Sequence, residues 1–206
     1  LHSLGYGLQR KAWGVKLASP QQVRGILKSL IQVSPQLNTD PYQPVERDLK
    51  STRSILEGEL AEIEGGECCV TFASGMAAIS AALFAVLKAG DRILVPSDGY
   101  YTTRLLADRY LAKLGVEVVE RPTVAFSEGG YDGFALVFLE TPSNPGLDVI
   151  DLAGACAAIR AAGGVSVVDN TTMTPFGQRP LDLGADVVVA SDTKAPGGHS
   201  DVLMGH

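Results

Sequence analysis

Cysteine, histidine, methionine and tryptophan are scarce in this 206-residue chain, which holds three Cys, three His, three Met and one Trp. Cys68 and Cys69 are adjacent and Cys156 lies far from both, and none of His2, His199 and His206 stands beside them. That pattern has neither the even count of a disulfide framework nor the spacing of a metal centre, so no metal is expected and the thiols read as small buried apolar groups. Positive charge is also short. With 17 Lys+Arg against 23 Asp+Glu and a net charge of -6, there is no basic stripe for a phosphate backbone, and no nucleic-acid partner is expected. Long apolar runs are missing as well. The longest, Met76 to Leu87, is interrupted by Ser80 and followed by Lys88, too short and too small-residued to span a bilayer. The opening residues show no signal-peptide pattern, and with no membrane segment the expected location is the cytoplasm. No low-complexity tract or internal repeat breaks the chain.

What is present is 46% hydrophobic residues and 23 Gly, the profile of a folded domain built from helices and sheet. The length suits one domain with a small appendage, divided here into an N-terminal helix and extended arm at 1–51 and a large domain at 52–206. Ser19-Pro20 followed by Val23, Ile26, Leu27, Leu30 and Ile31 predicts a capped amphipathic helix. Pro35, Pro41 and Pro44 mark Ser34 to Lys50 as a loop or extended arm. From Thr52, the positions Ile55, Leu56, Leu60 and Ile63 before Gly65-Gly66 predict a second helix and its cap.

Beyond that helix the chain alternates. Strands are expected at Cys68 to Phe72, Arg92 to Pro96, Val116 to Val119, Phe134 to Glu140, Val165 to Asp169 and Asp186 to Ala190, with helices at Gly75 to Ala89, Thr102 to Leu114 and Leu152 to Ala162. Continuous β-branched runs between amphipathic helices imply an α/β fold, a mostly parallel sheet flanked by helices on both faces. Ligands in such sheets bind beyond the carboxyl ends of the strands, which directs attention to the loops around Ala73 to Met76, Ser97 to Tyr100, Thr141 to Pro145, Asp169 to Thr172 and Ser191 to Lys194.

Those loops hold a distinctive set of groups. Lys194 follows the strand Val187 to Ala190, where a lysine gains nothing from packing; it is flanked by the hydroxyls of Ser191 and Thr193 and followed by Pro196-Gly197-Gly198, which lets backbone come close. Against this stands a solvated lysine in a polar loop. Asp169 ends the buried run Val165-Ser166-Val167-Val168, where a carboxylate is costly unless paired; the alternative is a cap for a short turn through Asn170 and Thr171. Ser74-Gly75-Met76 precedes a helix, so backbone N–H groups and the helix dipole point at whatever sits there, and a phosphate suits them.

Four blocks in order carry a resemblance. Phe72-Ala73-Ser74-Gly75-Met76-Ala77-Ala78-Ile79, Glu140-Thr141-Pro142-Ser143-Asn144-Pro145, Val168-Asp169-Asn170-Thr171 and Ser191-Asp192-Thr193-Lys194-Ala195-Pro196-Gly197-Gly198-His199-Ser200-Asp201-Val202 together resemble the cystathionine γ-synthase, cystathionine γ-lyase and methionine γ-lyase family of transsulfuration enzymes. The resemblance covers roughly Thr52 to Gly205. It implies the large domain of a fold-type I transferase dependent on pyridoxal 5′-phosphate (PLP). Lys194 becomes the Schiff-base lysine, Asp169 the partner of the pyridinium and Asn144 the donor to the ring 3′-oxygen. Tyr100 becomes the tyrosine that stacks on the ring and shuttles protons, with Tyr101 its competitor; Thr171 becomes a ring neighbour, and Gly75, Met76, Ser191 and Thr193 phosphate binders. Arg47 matches the arginine of an arm that reaches a neighbouring subunit's phosphate, whereas Val45 stands where the family has a tyrosine. The family's C-terminal domain, whose arginine holds the substrate carboxylate, is not in this chain.

The implied activity is elimination at the γ or β carbon of a sulfur-containing amino acid, by a homodimer or homotetramer acting on a small-molecule substrate. In that scheme Lys194 removes the Cα proton once displaced by the substrate amine, and Lys194 and Tyr100 relay protons until the thiol leaves. Two alternatives stay open: γ-replacement, as in cystathionine γ-synthase or an O-acylhomoserine sulfhydrylase, and a non-catalytic interaction module on the same fold.

Overall fold

The computed structural model describes residues 43–206, with side chains described from residue 52 onward. The helix expected at Ser19 to Ile31 and most of the arm before Gln43 lie outside the described residues. The chain divides into two compact units, Leu1–Thr71 and Phe72–His206.

In the first unit, helix α1 spans Gln43–Glu64. It begins well before Thr52 and so corrects the expected loop or arm through Lys50. Pro44 falls in the first turn, where its missing N–H costs nothing, and Glu46, Arg47, Leu49 and Lys50 are good helix formers. The helix ends as the glycine pair predicts: Gly65 takes a positive φ of 75°, and Gly66 N–H donates to Ala61 O at 2.7 Å. The following segment is not the strand expected at Cys68 to Phe72. Thr71 N–H and Oγ1 donate to Glu57 Oε1 at 2.9 and 3.0 Å, and its carbonyl accepts from Arg53 Nη2 at 2.8 Å, so its polar groups are spent on α1. Phe72 alone forms a bridge, antiparallel to Gly205. The thiols also differ from expectation: Cys156 is buried, but Cys68 is exposed.

The second unit is a doubly covered parallel sheet. Helix α2 (Gly75–Val86) leads to β1 (Arg92–Pro96), helix α3 (Tyr101–Leu106), β2 (Glu117–Arg121), β3 (Leu136–Glu140), helix α4 (Leu152–Ala161), β4 (Val165–Asp169), the short α5 (Thr174–Gly177) and β5 (Val187–Val189). The single helix expected at Thr102 to Leu114 is α3 continued by a π-helical turn at Ala107–Leu111 and a 3-10 turn at Ala112–Leu114. The five strands are parallel in the order β2-β1-β3-β4-β5.

Both faces of the central strands are apolar, which is why the sequence shows continuous runs rather than alternation. Ile93, Val95, Leu136, Phe138, Val165 and Val167 pack with Ile79 and Leu83 of α2. Their neighbours Leu94, Val137, Leu139 and Val168 pack on the other face with Leu152, Ala155, Cys156 and Ile159 of α4. Each fully buried aliphatic side chain contributes roughly 1.5–3 kcal/mol, so these two layers fix the register. Edge strand β2 alternates differently, with Glu117 and Glu120 exposed and Arg92 pairing Glu117 at 3.0 Å. Among the described residues, no helix is long and apolar enough to cross a membrane.

Candidate active site

The sheet order reverses between β1 and β3, and at such a switch point the loops leaving neighbouring strands diverge to open a crevice. Two groups flank it. Tyr100 follows β1, and its backbone N–H donates to Oε2 of Glu140, the last residue of β3, at 2.6 Å. Tyr101 meets it edge to face, centroids 5.5 Å apart, and is the more exposed of the two, at 61% against 37%. Arg104 pairs with Glu120 at 3.8 Å, so its charge is directed towards β2.

Asp169 ends β4 in register with Glu140. It is 7% exposed and, among the described residues, enters no ion pair. Thr171 N–H donates to its Oδ1 at 3.0 Å, so the capping role considered from sequence is present as an Asx turn. Burial pushes the Asp169 carboxyl above its usual range, against the hydrogen bonds from Thr171 and the charge of His206. Glu140 is pushed up to about 7, first by burial and further by Asp169 and Asp98, with the Tyr100 N–H pulling the other way. Two under-compensated carboxyls thus sit side by side at the carboxyl edge of the sheet.

The phosphate-type cradle is built from two loops. Ser74 Oγ accepts from Ala77 N–H at 3.1 Å and caps α2, leaving Gly75 and Met76 at the helix start, where N–H groups lack intrahelical acceptors. A Cβ on Gly75 would lie 2.7 Å from Ser191 Cβ, so glycine is what lets the α2 N-terminus meet the loop after β5. Ser191 N–H donates to Thr171 Oγ1 at 2.8 Å, which ties that loop to the turn beneath Asp169. Contacts therefore run from Tyr100 through Glu140, Asp169, Thr171 and Ser191 to Gly75.

The remaining expected residues are placed differently. Lys194 is exposed in the turn after Ser191, its N–H donating to Ser191 O at 3.0 Å. Gly197 closes that turn, donating to Asp192 O at 2.7 Å where a Cβ would stand only 2.8 Å away. Thr193 Oγ1 donates to Met204 O at 3.2 Å and accepts from Met204 N–H at 3.1 Å, so its hydroxyl is engaged with backbone. Met76 packs partly buried against the core. Asn144 is exposed in the turn after β3 and makes no described contact with Asp169 or Lys194. Arg47 belongs to α1, but its side chain lies outside the described residues.

Two features were missed from sequence. Glu140 carries the same signal that singled out Asp169, an acid closing an apolar strand, and could have been found by it. The other is a buried pair, His206 Nδ1 with Asp192 Oδ1 at 2.9 Å, which ties His206 to the start of the lysine turn. Nothing local connects residues fourteen positions apart.

The donor set fits PLP. A glycine-lined helix start meeting Ser191 suits a phosphate, and the buried Asp169, which enters no ion pair among the described residues, suits a pyridinium N–H. Known proteins agree. A family model described as "Cys/Met metabolism PLP-dependent enzyme" matches residues 36–206. A Streptomyces coelicolor protein carrying a cystathionine gamma-lyase name is 47% identical over 173 residues, 82% of this chain and 44% of that protein. The cystathionine beta-lyase of Bacillus subtilis is 42% identical over 75% of this chain and 40% of its own length. The crystal structure of cystathionine gamma synthase from Xanthomonas oryzae pv. oryzae in complex with aminoacrylate and cysteine superposes with a TM-score of 0.72 at 39% identity, covering 75% of this chain and 41% of that one. The chain thus spans between 39% and 44% of the length of these curated relatives and others like them.

Proposed function

The chain belongs to the PLP-dependent enzymes of cysteine and methionine metabolism, and from that membership we propose that the full-length protein eliminates at the γ or β carbon of a sulfur-containing amino acid. The observation that carries the reading is the contact path from Tyr100 to Gly75 across the switch point, with Asp169 buried at its centre. When bound, PLP supplies an electron sink for the carbanion at Cα.

The chain's own residues divide the remaining work. Gly75, Met76 and Ser191 would hold the phosphate, Thr193 would join them only by giving up its hydroxyl's bonds to Met204, and Asn144 would reach the ring 3′-oxygen from its exposed turn. Asp169 would keep a proton on the ring nitrogen, which would compensate its own buried charge, and Thr171 fixes the carboxylate with its N–H. Lys194 would hold the cofactor, and its amine would be the base that moves the Cα proton. Tyr100 would lie against the ring and give a proton to the departing sulfur. Arg47 reaches a neighbouring subunit's phosphate, so the working unit is a homodimer or homotetramer in the cytoplasm, and the substrate is a small amino acid.

A second reading, γ-replacement, draws support from the solved cystathionine gamma synthases that this chain resembles. Product analysis of the full-length protein with cystathionine, methionine and O-acylated homoserine separates the two. Oxo acid and ammonia released without an added thiol support elimination. A new thioether amino acid formed from O-acylated homoserine and an added thiol, with the carboxylate as leaving group, moves the assignment to γ-replacement, and no turnover at all moves it to a non-catalytic module.

A further inference from the structure

Tyr100 lies outside any strand or helix, yet its place is narrowly set. Ser97 N–H donates to Arg121 O at 2.7 Å, and the Asp98 carboxylate accepts from Thr123 N–H at 2.8 Å and from Thr123 Oγ1 at 2.7 Å, which fixes the start of the loop against the strand-β2 side. The end of the loop is held from the opposite side by Glu140 alone among these anchors, through the 2.6 Å bond to Tyr100 N–H. Gly99 makes that bond possible: a Cβ there would stand 2.6 Å from Glu140 Oε2 and 2.9 Å from Pro96 Cγ. Glu140 is 5% exposed, a costly location for a carboxyl whose only described hydrogen bond is to a backbone amide. A hydrophobic residue of similar size would fill the space without that cost, so volume does not account for it.

We propose that Glu140 is a positioning residue: by accepting the Tyr100 N–H it sets the height and angle of the Tyr100 ring over the site, and so governs the step in which the Tyr100 hydroxyl protonates the leaving sulfur. The proposal rests on the elimination reading given above and adds a residue to it. Among the described residues the Glu140 carboxyl hydrogen-bonds to backbone only, so it acts through Tyr100 and not on substrate.

The test uses the full-length holoenzyme with Glu140→Gln, Glu140→Asp, Glu140→Leu, Tyr100→Phe and the double variants. Gln keeps an oxygen at the same reach and holds elimination within about threefold of the parent, while Asp, one methylene short, and Leu, with no acceptor, lower it about tenfold or more and change Cα-proton exchange less. In the Tyr100→Phe background the Asp and Leu changes have no further effect on elimination, because there is no hydroxyl left to position. Where the Leu variant does not fold, the Asp variant carries the cycle. The proposal is overturned if the Glu140 and Tyr100 effects multiply, or if Cα exchange falls in step with elimination. The visible circular dichroism of the bound cofactor gives a readout independent of turnover: it changes in the Asp and Leu variants and not in Gln. A parent that releases no oxo acid counts against the elimination reading, whereas unchanged dichroism in Glu140→Asp counts against the positioning role itself.

Discussion

Glu140 and Asp169 are register partners on adjacent parallel strands, the last residues of β3 and β4, both buried and both with carboxyl pKa values raised above the ordinary range. Burial disfavours each charge, and the Asp169 charge further disfavours that of Glu140. One faces the Tyr100 backbone and the other the turn through Thr171, so the pair divides the crevice into a tyrosine side and a phosphate side.

This pair gives the cofactor-free protein a defined pH dependence. The folded-state value of Glu140, about 7 against an ordinary 4.5, means that the folded chain holds this proton more tightly than the unfolded chain. The contribution to stability is therefore complete below about 4.5 and is lost as the pH rises through about 7. Asp169 on β4, shifted in the same direction, and Asp98 in the loop after β1 face the group; the Tyr100 N–H opposes them. Thermal unfolding of the cofactor-free protein should show a midpoint that falls across this interval, and Glu140→Gln should flatten the slope. An unchanged slope in that variant would assign the effect elsewhere.

Asp169→Asn keeps an oxygen for the Thr171 N–H but removes the charge. Cofactor attachment should survive, turnover should drop about a hundredfold or more, and the cofactor-free variant should melt higher than the parent near neutral pH, where the uncompensated carboxylate is costly. Steady-state kinetics and calorimetry check the two halves separately. Near-parental turnover would remove Asp169 from the ring.

Gly75→Ala tests the cradle. Alanine is the better helix former, so on propensity alone the change should stabilise α2. Against that, its Cβ would stand 2.7 Å from Ser191 Cβ, and separating α2 from the loop after β5 should cost about 1–3 kcal/mol and weaken cofactor retention. Denaturant unfolding and cofactor titration read both effects. A variant as stable and as well loaded as the parent would show that the contact yields easily.

Borohydride reduction of the holoprotein followed by peptide mapping should place the pyridoxyl label on Lys194, and Lys194→Ala should abolish it. Lys113, exposed in the 3-10 turn after α3, is the control. A label there, or one that persists in Lys194→Ala, would sink the assignment.

The sequence by itself determined what is short-range. Runs such as Leu136 to Leu139 and Val165 to Val168 announce strands covered on both faces, Gly65-Gly66 announces a helix end, and Ser74-Gly75 announces a helix start able to take an anion, because each depends on residues within a turn or two of one another. The same locality let Asp169 be picked out, and it would have yielded Glu140 had the rule been applied twice. It misled at Gln43 to Lys50, where a proline in a first turn looks like a breaker, and at Cys68 to Phe72, where Thr71 is bonded to Glu57 and Arg53 instead of to a sheet. Only the tertiary structure decided the strand order, and with it that β1 and β3 are neighbours whose loops diverge. From that order follow the bond between residues 100 and 140, the pairing of 140 with 169, and the burial of Asp192 against His206. Such partners are chosen by packing of the whole sheet, and a buried polar group takes whichever partner the fold delivers, so no window of sequence contains them.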